Sequence, residues 1–367
     1  MAIGFRDQKE IHRNIFLTNS TKLAKTVSNR KLDVMKIKLS IFYLLTLILL
    51  SCDEERNLKD DLILTSEYEE SQSNLSESAN SVCFINDKKG FAAGSGKIFK
   101  TIDRGLTWES DSITNLPFKS IYFVDNNVGF AVGGQSSCGG TNCTVPGSIV
   151  YKTIDSGGNW NKLNIPYQWS ELNSVFFIDE NIGFAIGLGL HIKTNNGGQT
   201  WQQFKFDFQG LMTKINFIDR QTGFSAGLFG NIFKTTNQGE NWIKTNNQSD
   251  GHIYDFYFVN GNIGFAGGQK EIIKTIDGGQ TWHIINNSPT EIYFIQFSDE
   301  NNGIAIGRGH YTGGDWGTWT TALFRTNNGG ITWTKEDNVE LSSVASFYDH
   351  NNGYSITRDK TFSIKYK

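Results

Sequence analysis

From Ser81 onward the chain runs in short apolar stretches, such as Ile121-Tyr122-Phe123-Val124 and Val175-Phe176-Phe177-Ile178, each closed by a polar turn. Stretches of this length, rich in β-branched and aromatic residues and bounded by Asp, Asn and Gly, predict strands. The turn that follows, as in Asp125-Asn126-Asn127, carries side chains that bond to nearby backbone and tolerate left-handed conformations. A second strand then opens on Gly: Gly90-Phe91-Ala92, Gly129-Phe130-Ala131, Gly183-Phe184-Ala185, Gly223-Phe224-Ser225, Gly264-Phe265-Ala266, Gly303-Ile304-Ala305 and Gly353-Tyr354-Ser355. These seven starts lie 39, 54, 40, 41, 39 and 50 residues apart, which marks an internal repeat.

Another element follows later in every unit but the last. It reads Thr101-x-Asp103-x-Gly105-x-Thr107-Trp108 in the first, and recurs from Thr153 to Trp160, Thr194 to Trp201, Thr235 to Trp242, Thr275 to Trp282 and Thr326 to Trp333. The third position is Asp in three copies (Asp103, Asp155, Asp277) and Asn in three (Asn196, Asn237, Asn328). In a β-hairpin the Asp or Asn accepts turn N–H groups, the Gly supplies a positive φ and the Trp packs into the sheet. A turn cap tolerates exchange of Asp for Asn and a general acid does not, so these carboxylates are read as scaffold. Four short strands per unit of about 40 residues, repeated seven times, predict an all-β, seven-bladed β-propeller over residues 81–367.

The six turns resemble the Asp-box, or BNR repeat, of pattern S/T-x-D-x-G-x-T-W. Propellers built on it include sialidases, xyloglucanase-type glycosidases, sortilin-like receptors and the photosystem II assembly factors of the Ycf48-like or HCF136-like group. Seven short blades with N-x-G-F-A-x-G strands resemble the last group most, over Ser81 to Lys367. The resemblance implies a non-catalytic propeller that binds a partner, here a protein or a glycan. Assembly-factor propellers are also expected to present a basic or Arg-lined patch, and this chain shows none clearly. The more distant likeness to sialidases implies an arginine triad, but only Arg56, Arg104, Arg220, Arg308, Arg325 and Arg358 follow Cys52, and the F/Y-R-I-P motif is absent. The alternative function is a glycoside hydrolase, sialidase-like or xyloglucanase-like, with Asp315, Glu171 and Glu291 as the carboxylates that could pair.

In an up-and-down blade the 1–2 and 3–4 turns lie on one face, and the 2–3 loops and blade-to-blade connections on the other. The two wider spacings come from 2–3 loops, Gly133 to Ser148 in blade 2 and Gly307 to Thr321 in blade 6, expected to crown the face opposite the Asp-boxes around the channel mouth. Six of the nine Trp belong to the repeated turns, and the other three map to this second face: Trp169 in the connection Pro166-Tyr167-Gln168-Trp169, and Trp316 and Trp319 in the blade 6 insertion. With Tyr167, Arg308, His310, Tyr311 and Asp315 they form the candidate ligand site, since aromatic rings in Gly-rich loops make platforms for sugars or peptides. The other reading folds these rings over the channel mouth. Cys138 and Cys143 are predicted to close a small disulfide that stiffens the blade 2 loop, and Cys83 to be a buried small hydrophobe in an inner strand. No cofactor or metal is expected, because the His residues form no ligand-spaced cluster.

The seventh unit lacks an Asp-box and stops after its third strand, so the ring needs an outer strand from elsewhere. The apolar Leu62-Ile63-Leu64 is the expected source, as a closing strand near residues 62–66. Upstream, a basic stretch from Met35, the apolar run Leu39 to Leu50 and Leu50-Ser51-Cys52 read as a secretory signal, too short for a comfortable membrane span. Leu-Leu-Ser-Cys resembles the lipobox of bacterial lipoproteins, which makes Cys52 the lipid-modified first residue. Residues 1–51 are then an upstream extension plus signal, with Met35 a more natural start than Met1, and 52–80 a lipidated tether of polar composition. Asp53-Glu54-Glu55 resembles the surface-export signals of some Bacteroidetes lipoproteins. The expectation is an exported monomeric lipoprotein of the outer membrane, displayed at the cell surface and touching the membrane only through its lipid.

Composition narrows this further. At 13% aromatic and 38% hydrophobic residues, the 367-residue chain can bury a large core, and its 39 Gly without a G-X-Y period fit repeated turns. The net charge of -3 hides an asymmetry: residues 1–51 hold nine basic and three acidic residues, which leaves 25 basic against 34 acidic, about -9, for the remainder. A nucleic-acid-binding surface needs the opposite sign, so that partner class is excluded.

Overall fold

A computed structural model describes residues 67–135, 147–165, 170–208, 210–311, 313, 319–336, 341, 343–357 and 359–366. Cys52, the 62–64 triplet, Cys138, Cys143, Tyr167, Trp169, Asp315 and Trp316 lie outside the described residues. The described residues fall in one compact unit, Leu64–Lys367.

Seven antiparallel meanders follow one another, with innermost strands Ala79–Phe84, Phe118–Phe123, Leu172–Phe177, Met212–Phe217, Ile253–Phe258, Ile292–Phe297 and Ala345–Phe347 in blades 1 to 7. Each ends on the Phe that pairs with the opening Gly of the second strand, as Phe123 pairs with Gly129. That Gly is a steric requirement: a Cβ on Gly129 would stand 2.6 Å from the Phe123 ring. The middle of the inner strand is apolar in blades 1 to 6 (Val82, Ile121, Val175, Ile215, Phe256, Ile295) and is buried between neighbouring blades, while Ala345 of blade 7 is half-buried. Inner strands touch their neighbours around the ring, and blade 7 returns to blade 1. The result is a seven-bladed β-propeller.

The Thr-x-Asp/Asn turns are held as their chemistry requires. In blade 1 the Thr101 hydroxyl donates to Asp103 and accepts the Gly105 N–H, while Asp103 accepts both the Thr107 N–H at 2.8 Å and the Thr107 hydroxyl at 2.6 Å. With Asn196 the last bond reverses, its Nδ2 donating to the Thr200 hydroxyl at 2.8 Å. A hydroxyl both donates and accepts, which is why Asp and Asn interchange here. The turn Gly adds a second demand, since Gly157 has φ 75° and a Cβ there would lie 2.5 Å from Phe91 of the preceding blade.

Blades are also clamped by a lysine that the sequence reading passed over. Lys152, Lys193, Lys234 and Lys274, each three residues before the Asp or Asn of its turn, lie 4.9 to 5.7 Å over a second-strand Phe ring. Each donates to a carbonyl in the next blade's turn: Gly197, Gln238, Gly278 and Gly329. Burial against the ring pulls the Lys152 and Lys274 ammonium groups below the usual lysine range.

Blade 7 is completed by Glu67–Gln72, which pairs antiparallel with Lys360–Lys365. Described strands thus begin ahead of residue 81, and the described closing strand is drawn from the N-terminal segment, directly after residues 62–66, which lie outside the described residues. Its sequence is polar because an outermost strand is held by backbone hydrogen bonds, not by a buried face, and a Lys360–Glu70 ion pair at 2.7 Å reinforces the register. Across the seam, the Thr361 hydroxyl donates to Gly105 of blade 1 at 2.8 Å. The blade 6 insertion also differs from a Gly-rich loop. It extends the hairpin into Gly303–Tyr311 and Trp319–Thr326, with Arg308 opposite Thr321 and Tyr311 opposite Trp319.

Candidate binding site at the channel mouth

The inner strands enclose an axial channel of about 690 Å³. Its wall is polar for a structural reason: Ser81, Ser120 and Ser174 hydroxyls accept N–H groups of Ile121, Val175 and Ile215 in the following blade. Asp255 does the same for Ile295 at 3.1 Å. In blade 4 this place is taken by Lys214, which cannot accept and reaches Asp255 at 2.9 Å instead. Asp255 is buried, so the ion pair and the Ile295 N–H together compensate its desolvation. Cys83 is half-buried on this wall, and burial of its sulfur pushes the thiol up to about 11, which makes it an unreactive wall residue.

At the mouth on the 2–3 loop face, each inner strand contributes one residue four positions before its terminal Phe. Asn80 and Thr213 donate to carbonyls of the next blade, Phe118 at 2.7 Å and Ile253 at 2.6 Å. Blades 5 and 6 place Tyr254 and Tyr293 there, stacked with ring centroids 6.0 Å apart. Beside them Glu291 stands at φ 53° just before the blade 6 inner strand. Its carboxylate pairs with Arg308 at 3.3 Å, and its carbonyl accepts the Arg308 N–H at 3.1 Å. Arg308 lies 4.8 Å over the Trp319 ring. Tyr311 packs on the same ring at 5.4 Å. Burial, and then the Glu291 charge, raise the Tyr254 hydroxyl above its usual range while Arg308 opposes them, which places the Glu291–Arg308 pair within electrostatic reach of the tyrosines.

A ledge thus runs from the channel rim at Tyr254 and Tyr293, through Glu291 and Arg308, to Trp319 and Tyr311, which are 54% and 45% exposed. It offers stacking surfaces and a guanidinium whose orientation is fixed by a carboxylate and a ring, a combination suited to planar or anionic groups of a ligand. His310 is exposed and engaged with the Thr320 hydroxyl at 3.1 Å. The sequence names Arg308, Tyr311 and Trp319 as ligand-site candidates and Glu291 only as a carboxylate of the hydrolase alternative, and it does not single out Tyr254 and Tyr293. Their signal was available as the only aromatics in a column otherwise made of Asn80, Lys119, Asn173, Thr213 and Ser343.

Glu171 opens blade 3 and Glu291 opens blade 6, on opposite sides of the mouth, so these two do not make the close carboxylate pair that glycoside hydrolysis requires. Among the described residues no group of three His, Cys, Asp or Glu could hold a metal ion.

No family model matches the chain. It is similar to a photosystem II assembly lipoprotein Ycf48 from Synechococcus sp. (strain CC9902), 25% identical over 166 residues that cover 43% of this chain and 46% of that relative. Among solved structures, YCF48 bound to D1 peptide superposes with a TM-score of 0.62 at 17% identity, over 82% of this chain and 97% of that one. YCF48 from Cyanidioschyzon merolae gives 0.61 at 15% identity, over 81% and 98%. The GH74 xyloglucanase from Xanthomonas campestris gives 0.60 at 9% identity, over 80% of this chain and 52% of that one.

Proposed function

For a chain homologous to Ycf48 over part of its length and built on the same seven-bladed propeller, we propose a non-catalytic binding platform that holds an extended segment of a protein partner across the blade 5 and 6 sector of the channel mouth. The observation that carries this is Arg308, stacked on the exposed Trp319 and ion-paired to Glu291. Such an anchor is rigid before the partner arrives, which spares the ordering cost of binding. The solved YCF48 that binds a D1 peptide shows that this fold can hold a peptide, and is the reason to favour a polypeptide over a glycan. The platform is carried on an exported lipoprotein anchored through Cys52, at the outer membrane and displayed at the cell surface. Glycoside hydrolysis finds less support: the GH74 neighbours share the fold alone, and Glu291 is committed to Arg308.

The test is an affinity measurement on the full chain against envelope proteins of its own cell, with a glycan array and a chromogenic glycoside panel alongside. A protein ligand is expected, weakened about 30-fold by Arg308→Ala with Trp319→Ala, the size of a hot-spot loss. Turnover of a glycoside that Glu291→Gln abolishes overturns the platform reading.

A further inference from the structure

We propose that the turn face of the propeller lies against the neutral headgroup surface of a lipid bilayer, through an arc of apolar turn tips centred on the blade where the N-terminal segment enters. This rests on the reading of Cys52 as a lipid anchor, and replaces the expectation that only the lipid touches the membrane. Strand direction fixes the point of entry. Third strands run from the 2–3 loop face to the turn face, so Lys365 and its antiparallel partner Glu67 lie at the turn face, while Gln72 lies toward the opposite one. Fourteen residues separate Cys52 from Glu67. They reach at most about 50 Å extended and about 20 Å as a coil, which holds this edge of the ring near the membrane.

The side chains at the turn tips are sorted around that entry point. Ile102, Ile154 and Ile276 occupy the second position of the Asx turns in blades 1, 2 and 5, and Ile331 the sixth position in blade 6. All four are 67–71% exposed, and Leu106, also in the blade 1 turn, is exposed as well. In blades 3 and 4 the same positions hold Asn195 with Gln199 and Thr236 with Glu240. Around the ring the apolar tips therefore fall in the two blades on either side of blade 7, and the polar tips in the two farthest from it. Ile243 of blade 4 and Ile284 of blade 5 are exposed too, but on outer strands and not on turn tips. One exposed Ile needs no explanation, whereas a set confined to one face and graded about the anchor point is an interaction surface.

Charge selects the lipid. Six of the seven 1–2 turns on this face carry an Asp, from Asp87 to Asp349, with blade 5 the exception, and Glu180 and Glu300 join them against Lys88, Lys89 and Arg220, so the turns are acidic on balance. An anionic bilayer repels such a face, and a zwitterionic one does not. This orientation points the ledge of Tyr254, Arg308 and Trp319 away from the membrane.

The full acylated chain, reconstituted in phosphatidylcholine vesicles containing a photoactivatable phosphatidylcholine, tests the proposal by mass spectrometry of the labelled peptides. Label is expected on the peptides carrying Ile102, Ile154, Ile276 and Ile331 and not on those carrying Phe229 or Trp319. Changing the four Ile to Ser, all at exposed sites, is expected to cut that label at least fivefold while the chain stays on the vesicles. Replacing half the lipid with phosphatidylglycerol is expected to cut it as well. An anchored chain labelled on the opposite face, or equally on both, or unaffected by the Ser changes, overturns the proposal and leaves the anchor reading standing. A Cys52 peptide without acyl groups overturns both.

Discussion

At the residue scale the fold depends on a few polar groups whose partners lie in the next blade. Asp255 is the most exposed to test: it is buried, caps the Ile295 N–H and neutralises Lys214. Asp255→Ala leaves a buried donor and a cation unpaired at once, and is expected to lower the unfolding free energy by about 3 kcal/mol in urea titration. Lys214→Ser with Asp255→Ser, which imitates blades 1 to 3, is expected to recover most of that loss. His191 gives a pH dependence. Burial among Phe204 and Phe206 lowers it from the usual 6.5 to about 4, so the unfolded chain binds the extra proton in that interval. Stability is then full above about 6.5 and falls as pH drops toward 4, by about 3 kcal/mol from this group. In His191→Leu the slope between pH 6.5 and 4 should flatten, and an unchanged slope in that variant contradicts the assignment. The turn caps were legible in the sequence because Asp and Asn alternate at a fixed position. Tyr254 and Tyr293 were not, because their meaning depends on which column of the inner strands faces the channel, and that column becomes visible only when seven strands are registered against one another.

At the element scale the blades were readable because each carries its own punctuation, a Gly that the Phe ring requires and a turn that Thr and Asx close. The closing strand was legible as coming from the N-terminal segment, but Glu67–Gln72 itself was not, since the search for it followed apolar residues. Glu67–Gln72 is an edge strand whose bonds are backbone bonds, and composition says little about those. In such a strand one of any two adjacent N–H groups points at its partner, so Glu70→Pro with Ser71→Pro must remove a ladder bond. The double change is expected to open the seam, lowering the urea midpoint by an amount equivalent to about 2–4 kcal/mol and exposing Lys360–Lys365 to hydrogen exchange. Blades far from the seam should keep their protection at low denaturant. The inter-blade lysines predict a smaller effect. Lys274→Met keeps the stem over Phe265 but loses the bond to Gly329, and should cost about 1 kcal/mol by the same titration. The blade 6 insertion was placed on the right blade and face by its spacing, but its Gly content suggested a loop where the two strands continue to pair, because pairing of Arg308 with Thr321 depends on partners and not on local propensity.

At the scale of the whole molecule the two faces differ in what they carry. One carries Asx turns, the entering N-terminal strand and an arc of exposed isoleucines; the other carries the channel mouth and a ledge of Tyr254, Tyr293, Glu291, Arg308, Tyr311 and Trp319. Of the net charge of about -9 after residue 51, most lies in residues 52–80, with nine acidic against two basic residues, and residues 81–367 hold 25 acidic against 23 basic. Within the blades the turn carboxylates are caps, as where hydrogen bonds from Asn159 and then Thr153 hold Asp155 down at about 2. The excess of acidic residues therefore lies mainly before residue 81 and says little about the channel mouth. The most direct measurement is photocrosslinking in the living cell from a benzoylphenylalanine placed at Tyr311, with the same probe at Lys335 on the outer edge of blade 6 as the control. A discrete protein adduct from Tyr311, absent from Lys335 and lost when Arg308 is changed to Ala, is the predicted result. No adduct from Tyr311, or the same adduct from both positions, would contradict a binding platform at the channel mouth.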